Sequence, residues 1–390
     1  MPRHPELSAP AAALPASIFA RLVERAKKSG QAMFPFHLGD SCLTPPPAAL
    51  LDARPWGEGC AKLYAYGPPA GEPELLDAVV TKLAEKNKIS ATTSMLQVTA
   101  GATHGFSCVA RAVLDPGDEI VALTPRWPLI RGHILSVGGV LVEAPTPAAG
   151  DLVGLQTALE SKIGPRTAAL YFITPNNPDG RVLSHAELDV IADVARRHNL
   201  WVLADEVYED YVYEGTHVSI ATLPGMAERT ITAYSFSKSY ACAGLRVGYV
   251  VAPEPMTVAI RKLANHSVYN VPRALQAAAL GALREGASWL ERAREELRAT
   301  RDVAVGAIPA GLPFRRPAGG AYVFVDLASV AERGDIGPAL ERLADAGVLV
   351  APGDAFGRDF ATWVRVCYTA VPRGAVVEGL LKMAVVLGRA

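Results

Sequence analysis

What this chain has little of bounds its function first. Its five cysteines, Cys42, Cys60, Cys108, Cys242 and Cys367, are odd in number and widely spaced. No pair has Cys-x-x-Cys spacing, which argues against a zinc knuckle or a disulfide framework; the metal expectation is none, and reduced thiols in the cytoplasm are expected. Apolar stretches such as Ala274 to Leu283 stop well short of the roughly 20 residues that cross a bilayer. Neither sign of charge dominates, with 38 basic against 39 acidic residues and a net charge of −1. The basic residues are scattered, so no nucleic-acid or membrane partner is expected. Proline interrupts the first 17 residues where a secretory apolar segment would stand, so no signal peptide is expected. No internal repeat or low-complexity tract is visible.

Half of the 390 residues are hydrophobic and 20% are charged, the balance of a globular protein. That length exceeds one compact core and predicts two domains. A Pro- and Ala-rich arm over residues 1–15 leads into a predicted helix, Ser17–Ser29, with Ile18, Leu22, Val23 and Ala26 on one face. Six short β-branched runs then alternate with helical stretches. The runs are Glu119–Leu123, Val140–Glu143, Ala168–Ile173, Trp201–Ala204, Thr230–Ala233 and Arg246–Val251. Helices are predicted over Thr103–Leu114, over His185–His198 and after Ser237. Strand, helix, strand at this spacing makes an α/β fold with a largely parallel sheet covered on both faces. Beyond residue 272 come Ala-, Leu- and Arg-rich helices, a hairpin-like region from Phe314 to Leu327, and a strand Trp363–Thr369. The expected organisation is a large domain over 40–272 and a smaller α+β domain over 273–390, joined by residues 1–39.

The chemistry gathers where strands end. Ser235-Phe236-Ser237-Lys238 follows the run Thr230–Ala233, and Arg246 comes eight residues after Lys238. An amine, two hydroxyls and a guanidinium at the carboxyl edge of a sheet suit a cofactor that carries an aldehyde and a phosphate. Asp205 closes the run Trp201–Ala204, and a carboxylate there can pair with a protonated pyridine nitrogen. Tyr208 can donate to the ring oxygen. Glu206, Glu209 and Asp210 read as a solvated helix face. Thr174-Pro175-Asn176-Asn177-Pro178-Asp179-Gly180 follows a third strand, and as residue types alone it reads equally as a turn. Gly101-Ala102-Thr103 opens a helix, whose free amide groups can cradle a phosphate.

In their order these segments resemble the class I/II aminotransferases, the aspartate-aminotransferase-like pyridoxal-phosphate enzymes of fold type I. Tyr66-Gly67-Pro68-Pro69-Ala70-Gly71, Pro125-Arg126-Trp127 and Trp363-Val364-Arg365-Val366 complete the set, which covers nearly the whole chain. The family more often has Thr at Asp179 and Gly at Ala102, and neither difference removes a side chain the chemistry needs. The resemblance implies a seven-stranded, mostly parallel sheet between helices. It implies pyridoxal 5′-phosphate as a Schiff base on Lys238, which then moves the substrate's Cα proton. It further implies that Asp205 pairs with the pyridinium, while Asn177 and Tyr208 bond the phenolic oxygen. Trp127 and Val207 would cover the two ring faces. Ala102, Thr103, Ser235, Ser237 and Arg246 would bind the phosphate, with Tyr66 reaching it from the second subunit of a homodimer. Arg365 would hold the substrate α-carboxylate near the backbone of Gly39, with Asn177 and Trp127 beside it.

The implied reaction is ping-pong transfer of an amino group between an L-amino acid and a 2-oxo acid. Elimination by a carbon–sulfur lyase, or a cyclopropane-forming synthase, is the alternative on the same fold. A regulator of related sequence would need an N-terminal DNA-binding domain, which residues 1–38 do not hold. Thr103 stands where some aspartate-preferring relatives have a Lys, so the side-chain class stays open. Arg126 is a candidate replacement cation or a solvent-facing residue, and His37 and Phe36 are expected near the entrance.

Overall fold

The structure, a computed structural model, describes residues 7–14, 19–52 and 60–389. Seven strands build the larger sheet: β1 (Leu96–Thr99), β2 (Glu119–Thr124), β3 (Val140–Pro145), β4 (Thr167–Ile173), β5 (Trp201–Asp205), β6 (Thr230–Ser235) and β7 (Gly248–Val251). Their order is β1-β7-β6-β5-β4-β2-β3. The ladder from β6 to β3 is parallel, and β7 runs antiparallel to both β6 and β1. Strands β4, β5 and β6 are apolar almost throughout because helices cover both faces. One face carries Phe106, Ile134 and Tyr171; the other carries Leu155, Leu188 and Ile191.

All six expected runs are strands of this sheet. The seventh strand, β1, escaped the pattern because Gln97 interrupts its short apolar stretch. That amide is buried and satisfied by the carbonyl oxygens of Pro69 and Val98, at 2.6 and 2.8 Å. Strand β7 starts at Gly248, later than expected, because Arg246 sits in the left-handed region at φ +53°.

A second, antiparallel sheet has the order β10-β11-β9-β8, from β8 (Phe314–Arg315), β9 (Tyr322–Asp326), β10 (Ala351–Pro352) and β11 (Trp363–Cys367). The N-terminal helix spans Ala20–Ser29; residues 17 and 18 of the expected helix lie outside the described residues. Leu22 and Ala26 are buried against the core of this smaller sheet, while Arg25 pairs with Asp345 and Glu341. Phe34 bridges to Val348, so both ends of the chain meet here. Helix Arg273–Glu285 buries Ala279 and Ala282 in the cluster of Leu75, Val79, Val98 and Tyr249, which belongs to the larger sheet.

Candidate active site

Parallel strands β4, β5 and β6 end together, and a cavity of about 370 Å³ opens there. Into it project Asp205 from the end of β5, Asn177 from the loop after β4, Ser235 from the end of β6, and Ser237 and Lys238 just after it. Ala102 and Thr103 enter from the start of helix Gly101–Val113, and Arg365 from β11 of the second sheet. Gly39, Trp127, Val207, Tyr208 and Arg246 complete the expected set along the wall.

One end of the cavity is made of donors. Helix Gly101–Val113 has no side-chain cap, so its first amide groups stay free to bind an anion. Gly101 takes φ +75°, and a Cβ on it would stand 2.5 Å from Nη2 of Arg246. Arg246 Nη1 donates to the Ala243 carbonyl at 2.9 Å, and its contacts to Ser237 Oγ and the Ala100 carbonyl are longer, 3.4 Å each. Ser235 Oγ accepts from the Ser237 amide at 3.1 Å, which turns the chain so that Lys238 follows into the cavity.

Lys238 donates its ammonium to the Gly39 carbonyl. Burial lowers its pKa, and Arg365 and Arg246 push the same way against the opposing influence of Cys367 and Asp40. Asp205 is 4% exposed, and burial lifts its pKa to about 7. The Val207 amide at 3.3 Å and the Tyr171 hydroxyl at 3.2 Å hold it back only partly. A buried carboxylate with two neutral donors and no directly bonded cation calls for a cationic ligand atom.

The third group of residues surrounds Arg365. Its Nη1 donates to Asn177 Oδ1 at 3.0 Å and its Nη2 to the His37 carbonyl at 2.7 Å, while Nε has no partner. The guanidinium lies 4.3 Å over the Tyr322 ring, and Tyr322 shares a 2.6 Å hydroxyl contact with Tyr208. A planar molecule with a carbonyl, a cationic ring nitrogen and a phosphate matches these three groups, and a carboxylate matches Arg365.

Tyr66, expected to serve the second subunit's site, is 82% exposed, packs edge-on against Tyr269, and does not line this chain's own cavity. Several other expectations need correcting. Arg126 faces neither solvent nor the cavity, because it is buried and bonded to Glu143 at 2.8 Å. His37 does line the cavity, but Phe36 is buried in the core of the smaller sheet. Glu206, Glu209 and Asp210 are not a solvated face. Glu206 accepts from Ser219 at 2.8 Å and Tyr234 at 2.7 Å, Glu209 pairs with Lys82, and Asp210 with Lys86. Glu209 and Asp210 are buried because helix Pro73–Lys82 and the turn after it bring Lys82 and Lys86 against them.

Phe19, Leu38, Leu129, Tyr322 and Phe356 also line the cavity, and residue type alone gave no sign of it. Tyr171 touches Asp205 from inside an apolar strand, and its only sequence signal is a hydroxyl in an otherwise apolar run. Among the described residues, no group of three or more His, Cys, Asp or Glu is arranged to hold a metal. Nor is any described helix long and apolar enough to cross a membrane.

Residues 38–382 match the family model for aminotransferase class I and II. The aspartate/prephenate aminotransferase of Thermus thermophilus is 36% identical over 333 residues, covering 83% of this chain and 84% of that protein. The aromatic-amino-acid aminotransferase 2 of Thermococcus litoralis is 34% identical over 314 residues, 78% of this chain and 80% of that one. The solved structure of the Thermus thermophilus aspartate aminotransferase with maleate superposes with a TM-score of 0.89 at 31% identity, covering 98% of this chain and 100% of that one.

Proposed function

This chain belongs to the class I and II aminotransferases, and from that membership we propose that it holds pyridoxal 5′-phosphate on Lys238 and that the residues around it move an amino group between an L-amino acid and a 2-oxo acid. When bound, the cofactor supplies an electron sink conjugated to the substrate's Cα. Asp205 keeps the ring nitrogen protonated, and the ring's cation in turn holds Asp205 ionised. Asn177 and Tyr208 orient the ring through its phenolic oxygen, and Trp127 and Val207 line its faces. The free amide groups of Ala102 and Thr103, the hydroxyls of Ser235 and Ser237, and Arg246 hold the phosphate.

Arg365 binds the α-carboxylate, displacing or sharing its present partners, and so fixes Cα near Lys238. With its amine free, Lys238 would take the proton from the substrate's Cα and serve as its carrier to the cofactor, which would supply the electron sink. Burial lowers the pKa of Lys238 and so favours the neutral, basic form. We further propose a homodimer in which the second copy brings its Tyr66 to the phosphate, which its exposure in a single chain supports. The relatives named above are transaminases, which favours transfer over elimination.

The observation that carries this reading is that half-buried Lys238 and buried Asp205 share one cavity, each with its charged form disfavoured by desolvation. Borohydride reduction of the yellow protein, then peptide mass mapping, is expected to find the pyridoxyl group on Lys238 alone. An amino donor should bleach the absorbance band and a 2-oxo acid restore it. A protein that stays colourless and unlabelled after incubation with pyridoxal phosphate refutes the cofactor. Repeated release of ammonia and pyruvate from a cysteine conjugate, with no stable bleaching by any donor, refutes transamination.

A further inference from the structure

We propose that the amino acid's side chain enters an uncharged, mainly apolar subsite, formed by Phe19, Leu38, Leu129 and Phe356 around His37. The preferred substrates are then neutral amino acids with aromatic or branched apolar side chains, not dicarboxylates. This inference rests on the function proposed above and names its substrate class.

The argument is a count of cations. Among the described residues, three basic side chains line the cavity: Lys238, Arg246 and Arg365. Arg246 is tied to Ala243, Ser237 and Ala100 at the phosphate end. Arg365 is tied to Asn177 and His37 where the α-carboxylate binds, and Lys238 is the reacting amine. Among the described residues of this chain, none of the three is left for a second carboxylate. Arg126 is committed to Glu143 outside the cavity.

The remaining candidate is His37, 8% exposed, with ring Nδ1 unpartnered and its ring tilted against Phe19 at 5.8 Å. Burial, and then the charge of Arg365, push its pKa down to about 4, so the imidazole is neutral at pH 7. It can offer one hydrogen bond and no charge. A side-chain carboxylate placed against Phe19, Leu38 and Phe356 would lose its hydration with no cation in return, and that loss is large for a buried ion. An aromatic or branched side chain loses nothing there and buries apolar surface. The same subsite serves both half-reactions, so neutral 2-oxo acids are preferred as acceptors too.

The test uses the full-length, cofactor-loaded enzyme. Single-turnover absorbance changes without acceptor give kcat/KM for L-phenylalanine, L-leucine, L-aspartate and L-glutamate. The better neutral donor is expected to exceed the better acidic one at least thirtyfold. A smaller ratio, or the reverse order, overturns the inference and leaves transamination standing. If no donor reacts, the proposed function fails, and binding still decides the subsite. By calorimetry, 3-phenylpropionate should bind at least tenfold more tightly than maleate, and a smaller margin overturns the inference. Leu129 is 55% exposed at the cavity rim, so Leu129→Arg is an accessible way to add a cation. It should raise the aspartate-to-phenylalanine ratio of kcat/KM at least tenfold. An unchanged ratio shows that the side chain lies elsewhere.

Discussion

Replacing Asp205 with Asn should stabilise the cofactor-free protein at alkaline pH and destabilise the loaded one. In the folded chain burial raises this carboxyl from 3.8 to about 7. The folded state therefore holds a proton that the unfolded state releases, between about pH 4 and pH 7. Stability is highest below that window and falls as pH rises through it. Above pH 7 the loss is three units at 1.36 kcal/mol each, about 4 kcal/mol. Asn carries no charge and escapes this loss, while its amide can still serve the Val207 amide and the Tyr171 hydroxyl. With roughly 2.1 cal/mol/K of unfolding entropy per residue over 390 residues, the gain corresponds to a rise in Tm of about 5 °C. Calorimetry of cofactor-free Asp205→Asn and parent protein should give that difference at pH 8.5 and only about a third of it at pH 5. Adding pyridoxal phosphate should reverse the order at pH 8.5, because ligand binding then stabilises the parent more. Equal Tm values for the two cofactor-free proteins from pH 5 to 9 would refute the reading of Asp205 as a buried carboxylate short of a cation.

Gly101→Ala should weaken pyridoxal phosphate binding at least tenfold in equilibrium dialysis, since the position needs φ +75° and the new Cβ meets Arg246 Nη2 at 2.5 Å. Arg365→Leu should lower kcat/KM for every amino donor by roughly two to three orders of magnitude, mainly through KM, as a lost pair of charge-assisted hydrogen bonds requires. Glu209→Ala leaves Lys82 buried without its carboxylate and should cost about 3–5 kcal/mol in urea unfolding. Sedimentation should find a dimer, and Tyr66→Phe should weaken cofactor binding without dissociating it; a fully active monomer would exclude the shared site.

Most of this fold was legible because parallel strands buried on both faces are nearly continuous apolar runs, and six of the seven read that way. Strand β1 did not, since its buried Gln97 is satisfied by carbonyl oxygens distant in sequence or in the next residue, which no local pattern reveals. The polar residues that line the cavity were legible because they follow strand ends with hydroxyl, amine or carboxylate side chains. Phe19, Leu129 and Phe356 were not, because an apolar side chain at a cavity wall looks like one in a core. Glu206, Glu209 and Asp210 misled for the opposite reason. Acids three and four residues apart resemble a solvated helix face, and only partners brought in by the fold bury them: Lys82 and Lys86, more than 120 residues away, for Glu209 and Asp210, and Tyr234 for Glu206.

The segment from Asp205 to Asp210 therefore faces two ways. Asp205, Val207 and Tyr208 line the cavity, while Glu206, Glu209 and Asp210 are bonded behind it to β6, to helix Pro73–Lys82 and to the turn that follows. A library of random substitutions would fail here in two distinguishable ways: folded but inert variants from one set, poorly accumulating ones from the other. At the rim, Leu129 and Leu38 are half-exposed and bound to nothing polar through their side chains, so they can change with little consequence for folding. New substrates would be easiest to select from variation at the rim, with this doubly anchored turn held constant.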